Sequence, residues 1–182
     1  MKRFNLIIVD FQNDFYHVNG SMKVNGAYNS LINIIEFIIK NHNNINEVYL
    51  TRDAHPQNHI SFKENYGLWP KHCVKGEWGY QVAQDILDII EKYNLKYEYI
   101  DKGVNQYIEE YGAFQYTIPE QLMYYNNVVC GIAGDYCVAA TLENLIDRHV
   151  GEIKIFKDGI VSIESNEKIN KLIKEHNLKI ID

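Results

Sequence analysis

Short apolar runs alternate with longer segments of helical period along this 182-residue chain, and that alternation restricts its folding more than any other feature. The runs are FNLIIVD (4–10), EVYLTRD (47–53), KYEYID (96–101), NVVCGIA (127–133), EIKIF (152–156) and NLKIID (177–182). Each is rich in Val, Ile, Tyr or Phe and short enough for a buried strand. Between them, GAYNSLINIIEFIIKN (26–41) places Leu31, Ile34, Ile35, Ile38 and Ile39 at i, i+3, i+4, i+7 and i+8, so one stripe faces a core. YQVAQDILDIIEKYN (80–94) does much the same with Val82, Ile86, Ile89 and Ile90. CVAATLENLIDRH (137–149) and NEKINKLIKEH (166–176) supply two further helices. Strands separated by helices predict an α/β fold, with one open parallel, Rossmann-like sheet covered by helices on both faces. No repeat or linker divides the chain, so residues 1–182 read as a single domain. The irregular stretches 54–78 and 103–118 are long for plain connections, and such loops are often functional.

Composition narrows the function classes. Hydrophobic residues make up 46% and charged residues 23%, as in an ordinary soluble globular protein. The net charge of -6 argues against nucleic acid as a partner and favours a small-molecule substrate. The N-terminal MKRFNLIIVDFQNDF lacks a signal-peptide pattern, because its apolar run is only LIIV and acids follow at once. No stretch approaches the ~20 apolar residues of a membrane helix. Cys73, Cys130 and Cys137 form no disulfide framework and fit a reducing compartment. The expectation is a cytoplasmic protein.

In open parallel sheets, ligands bind beyond the carboxyl ends of the strands. The first strand ends in Asp10, the second in Asp53, the third in Asp101-Lys102, and the fourth runs into GDYC, with Cys137 opening a helix. Asp135 is a plausible N-cap for that helix, whose dipole would favour a Cys137 thiolate. Lys102 would lower the thiol pKa further, and Asp10 could accept the thiol proton. Backbone N–H groups around Ala133 and Cys137 could hold an oxyanion. This is an activated-nucleophile arrangement built with Asp and Lys. Bland readings stand beside it: an early-helix Cys is often a small buried hydrophobe, and a strand-ending Asp is often a cap.

The stretch DAHPQNHISF (53–62), with WPKHC (69–73) downstream, has a different chemistry. Asp53 and His55 lie two residues apart, on the same side of an extended chain. His72 is a third candidate ligand and His59 a fourth. Asp and His with open positions suit one divalent metal ion, Zn²⁺ first, with Fe²⁺ or Mn²⁺ as alternatives. The competing readings are that His59 caps a turn and that His72 packs against Trp69.

Four segments together carry a resemblance: IIVDFQNDF (7–15), DAHPQNHISF (53–62), LWPKHCVKG (68–76) and VVCGIAGDYCVAAT (128–141). In this order, with Lys102 between the third and fourth, the chain resembles the nicotinamidases of the isochorismatase-like cysteine hydrolases. The resemblance implies a triad of Asp10, Lys102 and Cys137 and metal ligands Asp53, His55 and His72. His59 matches a position that ligates in some members only. Phe15 and Trp69 match the walls that hold the nicotinamide ring, and Tyr111 matches another pocket residue. A cis peptide at Ile132–Ala133 and a homo-oligomer are also implied. Ala54, Gly134 and Gly112 depart from the Trp, Thr and Ser frequent in the family, which bears on substrate fit more than on chemistry. The implied activity is metal-assisted hydrolysis of nicotinamide to nicotinate and ammonia through a thioester, in NAD salvage. Related cysteine hydrolases acting on carbamoyl, ureido or pyrazinamide-like amides are the alternative. A non-catalytic binding module would be expected to lack the Cys, Lys or Asp, and all three are present.

Overall fold

The computed structural model describes residues 3–182. Six strands form one sheet: β1 (Phe4–Val9), β2 (Ile45–Asp53), β3 (Tyr97–Lys102), β4 (Asn126–Ile132), β5 (Ile153–Val161) and β6 (Lys179–Ile181). All five pairings are parallel, in the order β3-β2-β1-β4-β5-β6. The helices are α1 (Asn13–Tyr16), α2 (Ala27–Asn41), α3 (Gln84–Lys92), α4 (Gln121–Tyr124), α5 (Cys137–Asp147) and α6 (Glu167–Glu175). Every expected strand is present. β5 runs five residues beyond the expected Phe156, and its register against β4 shifts between Val129 and Gly131.

Alternation along β1 divides the interior in two. Leu6 and Ile8 join Leu31, Ile34 and Ile38 of α2 and Ile86, Ile89 and Ile90 of α3 in one core. Ile7 and Val9 join Leu142 and Leu145 of α5 and Ile169 and Leu172 of α6 in the other. The buried stripe of α2 is rotated from the expected one. Phe37 is buried at 4% exposure, while Ile39 is 42% exposed. The reason is a partner the sequence does not reveal: Phe37 stacks on Phe156 of β5 with centroids 4.4 Å apart.

The chain moves outward from β1 to β3 on one side and from β4 to β6 on the other. The order reverses between β1 and β4, and a crevice opens beyond their carboxyl ends. Gly131 sharpens this junction. Its φ is 126°, and a Cβ there would lie 2.2 Å from the Val9 carbonyl oxygen. Only glycine fits so close a backbone approach. Among the described residues, no helix is long and apolar enough to cross a membrane.

Phe37→Ala removes a buried aromatic ring and its stacking partner's contact. It should lower stability by about 3–5 kcal/mol, read as a reduced urea midpoint with an unchanged slope.

Candidate active site

The reversal point collects the chemistry. Asp10 follows β1, Asp53 ends β2, Lys102 ends β3 and Cys137 opens α5 directly after β4. Lys102 Nζ lies 2.8 Å from Asp10 Oδ2, donates to Asp53 Oδ1, and donates to Cys137 Sγ at 3.4 Å. Ligand atoms of Asp10, Asp53 and Cys137 all lie within 4.8 Å of one another. All four residues are buried.

Local structure sets each of them. Asp53 and Lys102 are register partners across β2 and β3, so their side chains leave the sheet on the same face. Asp10 turns out of β1 with a left-handed φ of 48°. Its N–H bonds the carbonyl and hydroxyl oxygens of Thr51, both at 3.2 Å, and the Thr51 hydroxyl donates to Asp10 Oδ1 at 2.6 Å. Asp10 Oδ2 makes no aligned hydrogen bond, although the Lys102 ammonium lies beside it. Cys137 is the first residue of α5, at the positive end of the helix dipole. Asp135 is not its cap. The Asp135 carboxylate instead accepts the N–H groups of Ile163, Glu164 and Ser165, so it fastens the loop after β5. Among the described residues, neither the Ala133 nor the Cys137 N–H has a hydrogen-bond partner. The Ile132–Ala133 peptide is cis.

Electrostatics divide the cluster. Burial pushes the Asp10 carboxyl up, with Lys102 opposing. Burial also works to raise Asp53, but Lys102 and the two histidines hold it well below the usual carboxylate range. For Lys102, burial favours the neutral amine, yet Asp10 and Asp53 outweigh it and keep the ammonium. Burial raises the Cys137 thiol, with the Lys102 ammonium pulling the other way. Burial and the Lys102 ammonium thus act in opposite senses on the Cys137 thiol, and burial is the larger.

Asp53 also faces the histidines. Its Oδ2 lies 3.7 Å from His55 Nε2 and 3.8 Å from His72 Nε2. Those separations exceed a hydrogen bond and leave room for an ion. The Nδ1–H groups donate to the Gly103 carbonyl at 3.0 Å and the Pro70 carbonyl at 2.7 Å. With both Nδ1 atoms so engaged, both Nε2 atoms aim at one point beside a carboxylate, which is how metal-ligating histidines are held. The donor set fits a divalent cation. His59 stands outside it. Its Nδ1 accepts the Ser61 N–H at 3.2 Å, and its Nε2–H donates to the Ile108 carbonyl at 3.0 Å. The His59 ring stacks on His55 with centroids 4.1 Å apart, and burial and His55 lower its pKa to about 4. Both of its ring nitrogens are thus engaged by protein groups. His72 packs against Phe15 and Phe62 rather than Trp69, with ring centroids 5.5 Å away in each case.

A narrow cavity adjoins Cys137, lined by Phe15, Trp69, Tyr111 and Tyr136, with Asp53 and His72 at one end. Trp69 Nε1–H donates to the Tyr111 hydroxyl at 3.1 Å, and Tyr136 packs on both rings. Sequence reasoning missed Tyr136, Met22, Glu109 and Ile163 in this lining, because nothing local marks a loop residue as facing a cavity. It also missed Gln12, whose side-chain amide bonds both the N–H and the carbonyl of Asp53 at 2.8 Å. A polar residue set directly after a buried strand was the available signal. Two departures from the family pattern have compensating neighbours. A Cβ on Gly112 would meet Asn144 Oδ1 at 2.2 Å, and one on Gly134 would meet Ser162 Oγ at 2.4 Å.

Comparison with known proteins gives the same direction. The isochorismatase domain family matches residues 5–171. The nicotinamidase of Saccharomyces cerevisiae is 28% identical over 97% of this chain and 98% of its own. The nicotinamidase of Acinetobacter baylyi is 32% identical over 78% of this chain and 75% of its own. Among solved structures, the yeast nicotinamidase bound to the inhibitor nicotinaldehyde superposes with a TM-score of 0.83 at 27% identity, covering 100% of both chains. The pyrazinamidase of Pyrococcus horikoshii in complex with zinc superposes with a TM-score of 0.80 at 27% identity, covering 99% of both.

Charge counting in the metal-free protein separates two substitutions. Lys102→Met removes the ammonium shared by two buried carboxylates and should cost about 3–5 kcal/mol. Asp10→Asn leaves one carboxylate facing one ammonium and should keep or raise stability. Denaturant unfolding at neutral pH compares them, and equal losses would contradict Lys102 as the shared counter-ion.

Proposed function

The chain belongs to the isochorismatase domain family, and from that premise we propose that it is a cysteine amidohydrolase converting nicotinamide to nicotinate and ammonia in NAD salvage. The observation that carries this reading is the meeting of Asp10, Lys102 and Cys137 beside the Asp53–His55–His72 donor set. Relatives named nicotinamidase, matched over nearly the whole chain, support the substrate. The three unpaired, buried cysteines fit a cytoplasmic setting.

Phe15 and Trp69 hold a flat ring by its faces and exclude water. A divalent metal held by Asp53, His55 and His72, with zinc the first candidate, would offer an open position to a ring nitrogen. A ring held between Phe15 and Trp69 would present its amide carbon to Cys137, which lines the same cavity, and such positioning supplies up to roughly 7–11 kcal/mol of the barrier. Asp10 takes the Cys137 proton on its Oδ2, and the Lys102 ammonium stabilises the thiolate. The thiolate attacks the amide carbon, and the oxyanion settles on the free Ala133 and Cys137 N–H groups. Each such donor contributes about 3 kcal/mol. Asp10 returns the proton to the nitrogen, ammonia leaves, and a Cys137 thioester remains. Asp10 then takes a proton from an attacking water, and nicotinate departs with the thiol restored.

Pyrazinamide is the second reading, because it presents a similar flat ring and carboxamide and the Pyrococcus horikoshii relative is named a pyrazinamidase. Ammonia release from nicotinamide, pyrazinamide and simple carbamoyl amides, with and without chelator, ranks the substrates. Preference for a carbamoyl amide would displace nicotinamide. Cys137→Ala should reduce turnover to background while leaving metal content unchanged. Asp53→Ala should lose the metal by elemental analysis and raise KM steeply; a metal-replete Asp53→Ala would remove Asp53 from the ligand set.

A further inference from the structure

One buried carboxylate takes no part in the chemistry above. Glu110 is 6% exposed, and its Oε2 accepts the Gly103 N–H at 2.8 Å. That bond closes the base of the loop running from Gly103 to Glu110. The backbone carbonyl of Glu110 meanwhile accepts from Lys102 Nζ at 3.4 Å. Higher in the loop, the Gln106 carbonyl accepts the Ile60 N–H at 2.8 Å, so the tip is fastened separately.

Gly103 sits flush against His55. Its carbonyl receives the His55 Nδ1–H. Its φ is 64°, and a Cβ there would lie 2.5 Å from His55 Cε1 and 2.7 Å from Nδ1. A backbone in such contact transmits any displacement to the imidazole. His55 lies beyond the end of β2, and its ring is held by this carbonyl together with His59, stacked on it, and Phe62, edge-on.

We propose that Glu110 is a positioning residue that clamps Gly103, and thereby holds the His55 ring and the Lys102 ammonium in place together. It touches no reacting atom. Its effect is to preset the Asp53–His55–His72 group for a divalent cation. The hydrogen bond to Gly103, rather than the negative charge, is the working part, so an isosteric acceptor should serve.

This inference rests on the metal reading above, and a titration with Zn²⁺ against a chromophoric chelator tests both separately. Glu110→Ala should weaken Zn²⁺ affinity by about 10–100-fold, as loss of a ligand's supporting partner does elsewhere. Glu110→Gln, whose amide oxygen can accept the same N–H, should stay within about threefold of the wild type. Glu110→Asp, too short to reach Gly103, should lose affinity as alanine does and stands in if the alanine variant does not fold. Wild-type affinity in a folded Glu110→Ala or Glu110→Asp would overturn the inference and leave the metal site standing. So would a loss in Glu110→Gln as large as that in Glu110→Ala. A wild-type protein that takes up no Zn²⁺ would overturn the metal reading and this inference with it.

Discussion

A lysine ammonium buried to 3% exposure cannot stay charged without close anionic partners, and the site is built around that requirement. Lys102 meets it with Asp10 and Asp53, each delivered by a different strand. The three residues sit at neighbouring carboxyl ends because β1, β2 and β3 lie side by side in parallel. Parallel pairing therefore does more than build a core. It brings like ends of distant segments together, and only there does a buried cation find two carboxylates.

The same cluster divides its labour through one carboxylate. Asp53 gives Oδ1 to Lys102 and turns Oδ2 to the two histidines. The Lys102 cluster and the pair of histidines thus share a residue, and neither can shift without the other. Gln12 reinforces the sharing by gripping the Asp53 backbone at both its N–H and its carbonyl. Cys137 enters from the far side of the β1–β4 reversal, where the close approach of Gly131 to Val9 narrows the junction.

The irregular stretches are held as firmly as the sheet. Asp14 accepts the Cys73 N–H at 2.7 Å and the Ser21 N–H at 3.1 Å, tying α1 to the segment that carries His72. Asp135 ties the start of α5 to the loop bearing Ile163, and Glu110 closes the loop bearing Glu109 and Tyr111. Carboxylates accepting backbone N–H groups recur in each case, buried for Asp14 and Glu110 and nearer the surface for Asp135. Such bonds supply the rigidity that a loop lacks for want of a ladder, and a preorganised site needs it.

The sequence by itself determined the alternation of strand and helix, hence the parallel sheet, and it marked Asp10, Asp53, Lys102 and Cys137 by their position at strand ends. Periodicity is local, and a strand's last residue can be read without knowing its neighbours. It left open whether His59 joins His55 and His72, and it gave Asp135 a capping role at α5 that the residue does not fill. Both depend on partners far along the chain: the Ile108 carbonyl for His59, and the 163–165 backbone for Asp135. The turn of α2 that buries Phe37 and exposes Ile39 was likewise decided by Phe156 on β5. Only the tertiary structure settles such choices, because a side chain's hydrogen bonds and packing are fixed by whichever segments the sheet order sets beside it.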